Sequence, residues 1–249
     1  MALVAFVLGA IFGSFTNVLI HRIPRGESVV WPPSRCPACG HRLSWWENVP
    51  LLSFVLLRGR CAACSRPISW RYPAVELLVS LIFTYAAFRH GLSWDAVSTA
   101  ALGVLLVAVF FIDLEHRIVP DRLTLPGMVL GLLLSLARGG LPGGVGALLS
   151  GIGAGGVLLA VALVSPGGRG GGDIKLAAML GCFLGWPNIV VGMFAGVLFG
   201  GLVALVLLLT GRKGRKDLIP FGPALALGGF VGMEWGTQLL HAYLRAFGL

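Results

Sequence analysis

The sequence predicts an all-α polytopic membrane protein with about eight transmembrane helices and a small cytoplasmic zinc-binding module between the first and second. Three observations predict this fold class. The chain is 57% hydrophobic and only 12% charged, its mean hydropathy is +0.89, and apolar runs recur along all 249 residues. A soluble domain carries about 25% charged residues. Because each helix that crosses a bilayer needs about 20 mostly apolar residues, the recurring runs indicate a helical bundle in lipid.

Eight apolar runs are candidate spans, of which the fourth and the sixth are short. The first could instead be a signal peptide, but it lacks a basic start and an A-x-A cleavage site. Short spans beside loops that carry carboxylates often line a site. The predicted spans are 2–20, 73–88, 97–112, 123–136, 145–164, 176–186, 189–209 and 220–247.

The net charge of +9 is distributed unevenly over the predicted loops. Of the 19 Lys and Arg residues, only Arg89, Arg138 and Arg245 fall on one side of the membrane. The positive-inside rule therefore places the other, basic side in the cytoplasm and both termini outside. Attraction to anionic lipid headgroups explains most of these charges, so the basic balance does not indicate a nucleic-acid partner.

The segment 21–72, between the first two spans, is the one sizeable soluble segment, and two C-x-x-C pairs mark it. A segment of roughly 50 residues rarely folds by apolar burial alone. Cys36 and Cys39, with Cys61 and Cys64, can present four thiolates to one tetrahedral ion. Disulfides or redox motifs are the alternative, but a cytoplasmic location is reducing. Four thiolates leave no open position for water, so the predicted zinc is structural. Cys182, alone in an apolar span, is predicted to be a packing residue.

Two carboxylates lie at the ends of predicted spans. A charged side chain near the lipid is energetically costly, so each of these residues is a candidate for a functional role. Asp113 directly follows the apolar run VLLVAVFFI, and Asp173 ends the loop SPGGRGGGD. Both are predicted at the cytoplasmic end of their spans and at similar depth. Two close carboxylates share a proton, so one can act as general base on a water and the other as acid toward a carbonyl. The simpler alternative for Asp113 is an interfacial or helix-capping carboxylate, paired with Arg117 or Arg122. The simpler alternative for Asp173 is a helix N-cap.

Three glycines, Gly170, Gly171 and Gly172, immediately precede Asp173. Without side chains they allow an extended substrate backbone to approach and permit unusual backbone angles. A phosphate-binding loop is the rival interpretation, but the G-K-[ST] ending is missing and an aspartate would repel phosphate.

The remaining polar residues near the spans have simpler interpretations. We expect Asp121 to cap the fourth span, and Glu115 and His116 to face the cytosol or lipid headgroups. Glu76, one turn into the second span, needs a partner that the sequence does not name. Small residues spaced four apart are predicted to let helices approach closely; these pairs are Gly9 with Gly13, Gly151 with Gly155, and Gly196 with Gly200.

Longer motifs resemble the type IV prepilin peptidase family, the bacterial leader peptidases of the GxGD aspartic class. The similarity runs through nearly the whole chain. It includes GSFTNVLIHRIP, the two C-x-x-C pairs, WWENVPLLSFVLLRGRC, ISWRYPAVELL, IDLEHRIVPDRLTLPG, GGGDIKLAAMLG and IPFGPALALGG.

This resemblance implies a function and a set of roles. Asp113 and Asp173 would be the catalytic pair, and the four cysteines would hold zinc. The substrates would be the precursors of type IV pilins and of type II secretion pseudopilins, cut after a glycine that precedes their apolar helix. Many members also methylate the new N-terminus with S-adenosylmethionine. The implied location is the bacterial inner membrane, with the module and active site facing the cytoplasm.

The expected organisation is a first helix at 1–20, the zinc module at 21–72 and a peptidase domain at 73–249. Two alternative functions remain open at the level of the sequence. One is a proton-coupled transporter that uses the aspartates, and the other is a zinc-bearing assembly scaffold without chemistry of its own.

Overall fold

The computed structural model describes residues 1–164, 170–211 and 220–248. Within these residues the secondary structure is helical, and isolated β-bridges occur only next to the C-x-x-C pairs. The α-helices are α1 (Ala2–Arg22), α2 (Leu52–Leu56), α3 (Arg71–His90), α4 (Trp94–His116), α5 (Asp121–Val164), α6 (Gly171–Leu184), α7 (Asn188–Leu209) and α8 (Gly222–Ala246).

Five of the described helices are long and apolar enough to cross a membrane, namely α1, α3, α4, α5 and α7. The 44-residue α5 contains both the fourth and the fifth predicted spans, joined at a kink where Gly140 has φ 59°. The helix α6 has only 14 residues, about 21 Å at 1.5 Å per residue. The multi-pass helical fold is therefore confirmed, whereas the predicted number of eight spans is not.

The chain divides into two compact units, Met1–Ala108 and Val109–Leu249. In the first unit, α1 packs against α3 through the predicted Gly9 and Gly13. A Cβ atom added at Gly13 would lie 2.6 Å from the Cα atom of Glu76. The two backbones therefore touch, and the close approach predicted for this glycine pair is confirmed.

In the second unit, α5 packs against α6 and α7 packs against α8. A Cβ atom at Gly151 would lie 2.7 Å from the Sγ atom of Cys182, which is buried. Cys182 therefore packs in the helix interface, as predicted. A Cβ atom at Gly196 would meet the Cα atom of Leu225 at 3.2 Å, so this glycine also permits close helix contact.

The C-terminal end of α6 is attached to α5 by hydrogen bonds. The Ser135 hydroxyl donates to the Cys182 carbonyl at 2.9 Å, and the Arg138 guanidinium donates to the Phe183 carbonyl at 2.7 Å. The last carbonyls of a helix have no partner within the helix. These bonds supply partners and fix α6, the short helix that begins with the segment carrying Asp173.

Candidate active site

Asp113 lies on the last turn of α4 and is only 5% exposed. Its Oδ2 atom accepts a hydrogen bond of 2.9 Å from the backbone N–H of Gly222. Gly222 is the first residue of α8, and the N–H groups of a first helical turn have no partner within their helix. The carboxylate therefore satisfies a donor at the start of α8, where the helix dipole favours an anion.

Asp173 is the third residue of α6 and is partly buried. The N-cap position belongs to Gly170, with no side-chain capping bond, so Asp173 is not the N-cap that the simpler interpretation suggested. A Cβ atom at Gly170 would lie 3.5 Å from the Asp173 Oδ2 atom, whereas one at Gly171 would meet nothing within 4 Å. The backbone is thus open at Gly171, whereas a Cβ atom at Gly172 would lie 2.9 Å from the Val119 Cβ atom. Gly171 and Gly172 lie in the first turn of α6 rather than in a loop.

The two aspartates belong to the same compact unit and interact electrostatically, with the Asp113 charge acting on Asp173. They come from the end of α4 and the start of α6, which are far apart in sequence. The start of α8 contacts Asp113 through Gly222. Two carboxylates and two helix N-termini therefore converge, an arrangement suited to holding one shared proton and a water.

Asp121 and Lys175 form an ion pair beside this site. The Lys175 Nζ atom lies 2.8 Å from Oδ1 and 2.7 Å from Oδ2 of Asp121. Asp121 is the first residue of α5, so the pair joins the starts of α5 and α6. The expected capping role of Asp121 is therefore replaced by a bridge between two helices. Glu115 and His116 are exposed, as predicted, with side chains 3.9 Å apart.

An apolar groove of about 360 Å³ lies between the end of α4 and helices α7 and α8. Its walls include Phe110 and Leu114, which flank Asp113 in α4, and Val203 of α7. Arg117, at the end of the groove, has φ 56°. The groove therefore places an apolar surface beside the turn of α4 that carries Asp113.

Sequence reasoning missed the contact between Gly222 and Asp113. A Cβ atom at Gly222 would lie 2.7 Å from the Asp113 Oδ2 atom and 3.2 Å from its Cβ atom, so any larger residue would require the Asp113 side chain to move. The Gly-Pro pair at the start of α8 was visible within the motif IPFGPALALGG, because proline favours the first turn of a helix. Nothing in the sequence alone connected that turn to Asp113.

The four predicted cysteines form one cluster, in which all Sγ atoms lie within 4.8 Å of one another. The Sγ atoms of Cys36 and Cys64 are 3.9 Å apart, and those of Cys39 and Cys61 are 4.0 Å apart. Zn–S bonds of about 2.3 Å in tetrahedral geometry require S···S distances of about 3.8 Å. The cysteines are free thiols rather than disulfides, so the cluster fits a tetrahedral metal ion.

The two cysteine pairs have the same local fold. In the first pair, the Cys36 N–H donates to the His41 carbonyl and the Gly40 N–H donates to the Cys36 carbonyl. In the second pair, the Cys61 N–H donates to the Arg66 carbonyl and the Ser65 N–H donates to the Cys61 carbonyl. Backbone N–H groups of Cys39 and Ala38 point at the Cys36 sulfur and lower its pKa to about 7. These N–H groups thus favour the thiolate of Cys36, whereas the pKa of Cys39 is raised to about 11 beside the other three sulfur atoms.

Glu47 holds the first cysteine loop to the chain that follows. Its Oε2 atom accepts hydrogen bonds from the Ser44 backbone N–H at 2.6 Å and from the His41 ring at 3.1 Å. The bond from Ser44 lowers the pKa of the Glu47 carboxyl. The module is therefore tied together by a capping box as well as by its cysteines.

Comparisons with known proteins agree with these features. Residues 7–90 match the model of the bacterial peptidase A24 N-terminal domain, and residues 100–205 match that of the type IV leader peptidase family. No solved structure matches the chain.

Several relatives carry the name prepilin leader peptidase/N-methyltransferase, among them the following three. The protein of Stutzerimonas stutzeri is 36% identical, with 98% of this chain and 93% of the relative covered. That of Myxococcus xanthus is 42% identical over 86% of this chain and 66% of the relative. That of Pseudomonas aeruginosa is 34% identical over 99% of this chain and 94% of the relative. The chain therefore belongs to the type IV leader peptidase family.

Proposed function

We propose that the protein is a membrane aspartic endopeptidase that removes the leader peptides of type IV prepilins and of type II secretion pseudopilins. The observation that carries the proposal is the pairing of Asp113 and Asp173 at helix ends within one compact unit. Membership of the leader peptidase family supports the reaction. Neither a proton-coupled transporter nor a non-catalytic scaffold has comparable support.

The chemistry follows from sharing one proton between the two carboxylates. The ionised carboxylate takes a proton from a water while the water oxygen attacks the scissile carbonyl carbon, and the protonated partner donates its proton to the carbonyl oxygen. The tetrahedral intermediate then collapses. The C–N bond breaks as the amine takes the proton from one carboxyl and a hydroxyl of the intermediate gives its proton to the other carboxylate, so the pair again holds one proton.

The apolar groove beside Asp113 suits the substrate. A prepilin has a polar leader followed by an apolar helix, so its scissile bond lies near the membrane surface. An apolar helix in the groove between α4 and α7 would bring that bond to the carboxylates. We place this site and the zinc module at the cytoplasmic face of the bacterial inner membrane, since the basic loops favour that orientation.

We propose that the ion bound by the cysteine cluster is zinc. Four thiolates in a tetrahedral arrangement select zinc among the common cellular ions, and the complete ligand set makes the ion structural. Metal analysis of the purified protein should give one zinc per chain, and Cys36→Ser should lower that content. Iron in place of zinc would contradict this assignment.

The second proposed activity is methylation of the new N-terminus. Transfer of a methyl group to an amine needs an activated donor, and the proposed donor is S-adenosylmethionine. The names of the relatives support this activity. Mass spectrometry of the processed pilin should show one added methyl group, and an unmodified N-terminus in a cell with only this enzyme would contradict it.

The test of the peptidase is cleavage of a prepilin by Asp113→Asn and Asp173→Asn variants in vesicles. Each should abolish cleavage while the protein still inserts. Asp121→Asn is the matched control, because this carboxylate lies beside the site but is paired with Lys175, and it should remain active. Cleavage by either site variant would reject the assignment. Loss of proton flux without loss of cleavage would favour the transporter, and normal pilus assembly by both variants would favour the scaffold.

A further inference from the structure

An apolar stretch, VPLLSFVLL at 49–57, interrupts the polar segment that was predicted to be cytoplasmic. The stretch contains α2, and its large side chains do not face a core. Leu52 is 54% exposed, Val55 is 70% exposed and Leu56 is 64% exposed. Contiguous exposed apolar surface of this kind marks a contact with protein or membrane.

A hydrogen bond fixes the depth at which this stretch lies. The backbone N–H of Leu51 donates to the Oε2 atom of Glu76 at 2.8 Å. Glu76 is the sixth residue of α3 and is only 9% exposed, and its carboxylate also bonds the side chain of Ser14 in α1. Both α1 and α3 are membrane-spanning helices, so Leu51 lies at the level of their embedded residues.

The same stretch also lies along α1. A groove of about 660 Å³ is bounded by residues of 48–55 on one side and by Phe6, Val7, Ala10 and Ile11 on the other. Ile11 is 11 residues from Arg22, the end of α1, or roughly 16 Å at 1.5 Å per residue. The stretch therefore faces a part of α1 that is well inside the bilayer.

The residues on either side of the stretch are those of a membrane interface. Trp45 precedes the stretch and is 82% exposed, and Trp70 follows it and is 77% exposed. The centroid of the Trp70 ring lies 4.9 Å from that of Phe54, which belongs to the stretch. Arg58 and Arg60 come directly after it and are exposed. Tryptophan is enriched at headgroup level, and arginine is attracted to anionic lipids.

We propose that residues 49–57 form a re-entrant segment that enters the lipid from the module's side of the membrane and anchors the zinc module to the bilayer. Several backbone groups of the segment have hydrogen-bond partners, as polar groups in lipid require. Glu76 takes the Leu51 N–H, and the carbonyls of Val49, Leu51 and Ser53 accept helical bonds. This role also explains why a carboxylate is buried in α3.

The occupant of this surface is lipid rather than a protein partner, because the apolar face continues the lipid-facing surfaces of α1 and α3. In α1, Leu8 and Ile11 are exposed, and in α3 Leu77 and Leu81 are exposed. A docking site for a soluble protein would not be positioned by a hydrogen bond to a residue inside a transmembrane helix.

The test places a photoreactive benzoylphenylalanine at Leu56 in the full chain, reconstituted in phosphatidylcholine and phosphatidylglycerol vesicles. After irradiation, mass spectrometry should find acyl-chain adducts at this position. Leu198, 56% exposed on α7, serves as the lipid-facing control, and exposed Arg42 in the first cysteine loop serves as the aqueous control. Adduct yields at Leu56 equal to those at Arg42 would overturn the proposal, as would cross-links to another protein in native membranes.

A second experiment tests the role of Glu76. Glu76→Gln retains an acceptor for the Leu51 N–H, whereas Glu76→Leu removes it. The yield of lipid adducts at Leu56 should persist in the first variant and fall at least fivefold in the second, with zinc content unchanged in both. An unchanged yield in Glu76→Leu would show that the carboxylate does not hold the segment in place.

Discussion

The glycine opposite Asp113 should be as sensitive to substitution as the aspartate itself. In Gly222→Ala the new methyl group would lie 2.7 Å from the Asp113 Oδ2 atom, so the carboxylate must move and lose its bond to the start of α8. We expect prepilin cleavage to fall at least a hundredfold, a loss of about 3 kcal/mol in transition-state stabilisation.

The control for this variant is Gly201→Ala in α7, where an added Cβ atom meets nothing within 4 Å. It should cleave at the normal rate, since alanine is the better helix former. Normal cleavage by Gly222→Ala would show that the contact between Asp113 and α8 is not needed for the reaction.

Ser65 adopts a backbone conformation that favours glycine. It occupies the position in the second cysteine loop that Gly40 occupies in the first, with φ 56° against 73°. A non-glycine residue in this region costs about 1 kcal/mol or more. Ser65→Gly should therefore slow zinc release to a chelator, whereas Gly40→Ala should speed it. The same release rate in both variants would contradict this comparison.

The sequence predicted Asp113 and Asp173 because a carboxylate beside lipid is costly and therefore conspicuous. It did not predict the role of Gly222, because a glycine has no chemistry of its own and its contact with Asp113 spans 109 residues. Glu76 was recognised as needing a partner, and that partner is the backbone N–H of Leu51. Nearly every residue carries a backbone N–H, so the sequence could not indicate which one pairs with Glu76.

At the level of elements, α6 depends on α5 at its C-terminal end. Arg138 and Ser135 provide the hydrogen bonds to the last carbonyls of α6. Arg138→Met should leave a carbonyl without its donor, at a cost of about 1–3 kcal/mol. We expect a lower thermal unfolding temperature and slower cleavage, because α6 also carries Asp173.

The matched comparison is at the other end of the same helix. The pair of Asp121 and Lys175 is about half exposed, and exposed ion pairs contribute about 0–1 kcal/mol. Lys175→Met should therefore lower the unfolding temperature less than Arg138→Met does. The opposite order would show that the ion pair, rather than the buried donors, holds α6.

The groove between α4 and α7 predicts a position-specific effect on substrate binding. Val203 lines the groove, whereas Val206, one turn along α7, does not line it; they are 49% and 50% exposed. Val203→Trp should fill the groove and raise the KM for prepilin at least tenfold, with Val206→Trp as the control. Equal KM values would place the substrate helix elsewhere.

The helix boundaries show where apolar patterning is informative and where it is not. The predicted spans 2–20, 73–88, 97–112 and 189–209 correspond to α1, α3, α4 and α7. The fourth and fifth predicted spans form one helix, because the chain changes direction at Gly140 with no intervening loop. A single residue at positive φ is enough to change the helix direction, and a hydropathy profile does not detect such a residue.

At the scale of the whole molecule, the zinc module should depend on its metal. Within the described residues its regular structure is limited to short helical segments and isolated bridges, too little to fold by burial alone. Chelation, or Cys36→Ser with Cys39→Ser, should make the module sensitive to trypsin at Arg35, Arg42 and Arg60. Gel analysis checks this, and continued resistance after zinc loss would contradict it.

The predicted fold class was correct, because composition alone distinguishes a helical membrane protein from a soluble one. The predicted cytoplasmic segment 21–72 was treated as uniformly aqueous. Its stretch 49–57 is apolar, but nine residues are too few to cross a bilayer, so a search for full spans passes over it. Only the contact with Glu76 reveals its depth.

Asp113 lies on the final turn of α4, a candidate transmembrane helix, so in the proposed reaction the length of α4 sets the depth at which a peptide bond is cut. Such an enzyme can select a peptide bond by its position relative to the bilayer surface as well as by the residues around it. Lengthening the apolar helix of a precursor by one turn would then shift the cleavage site along the precursor, to the peptide bond that lies at the depth of Asp113.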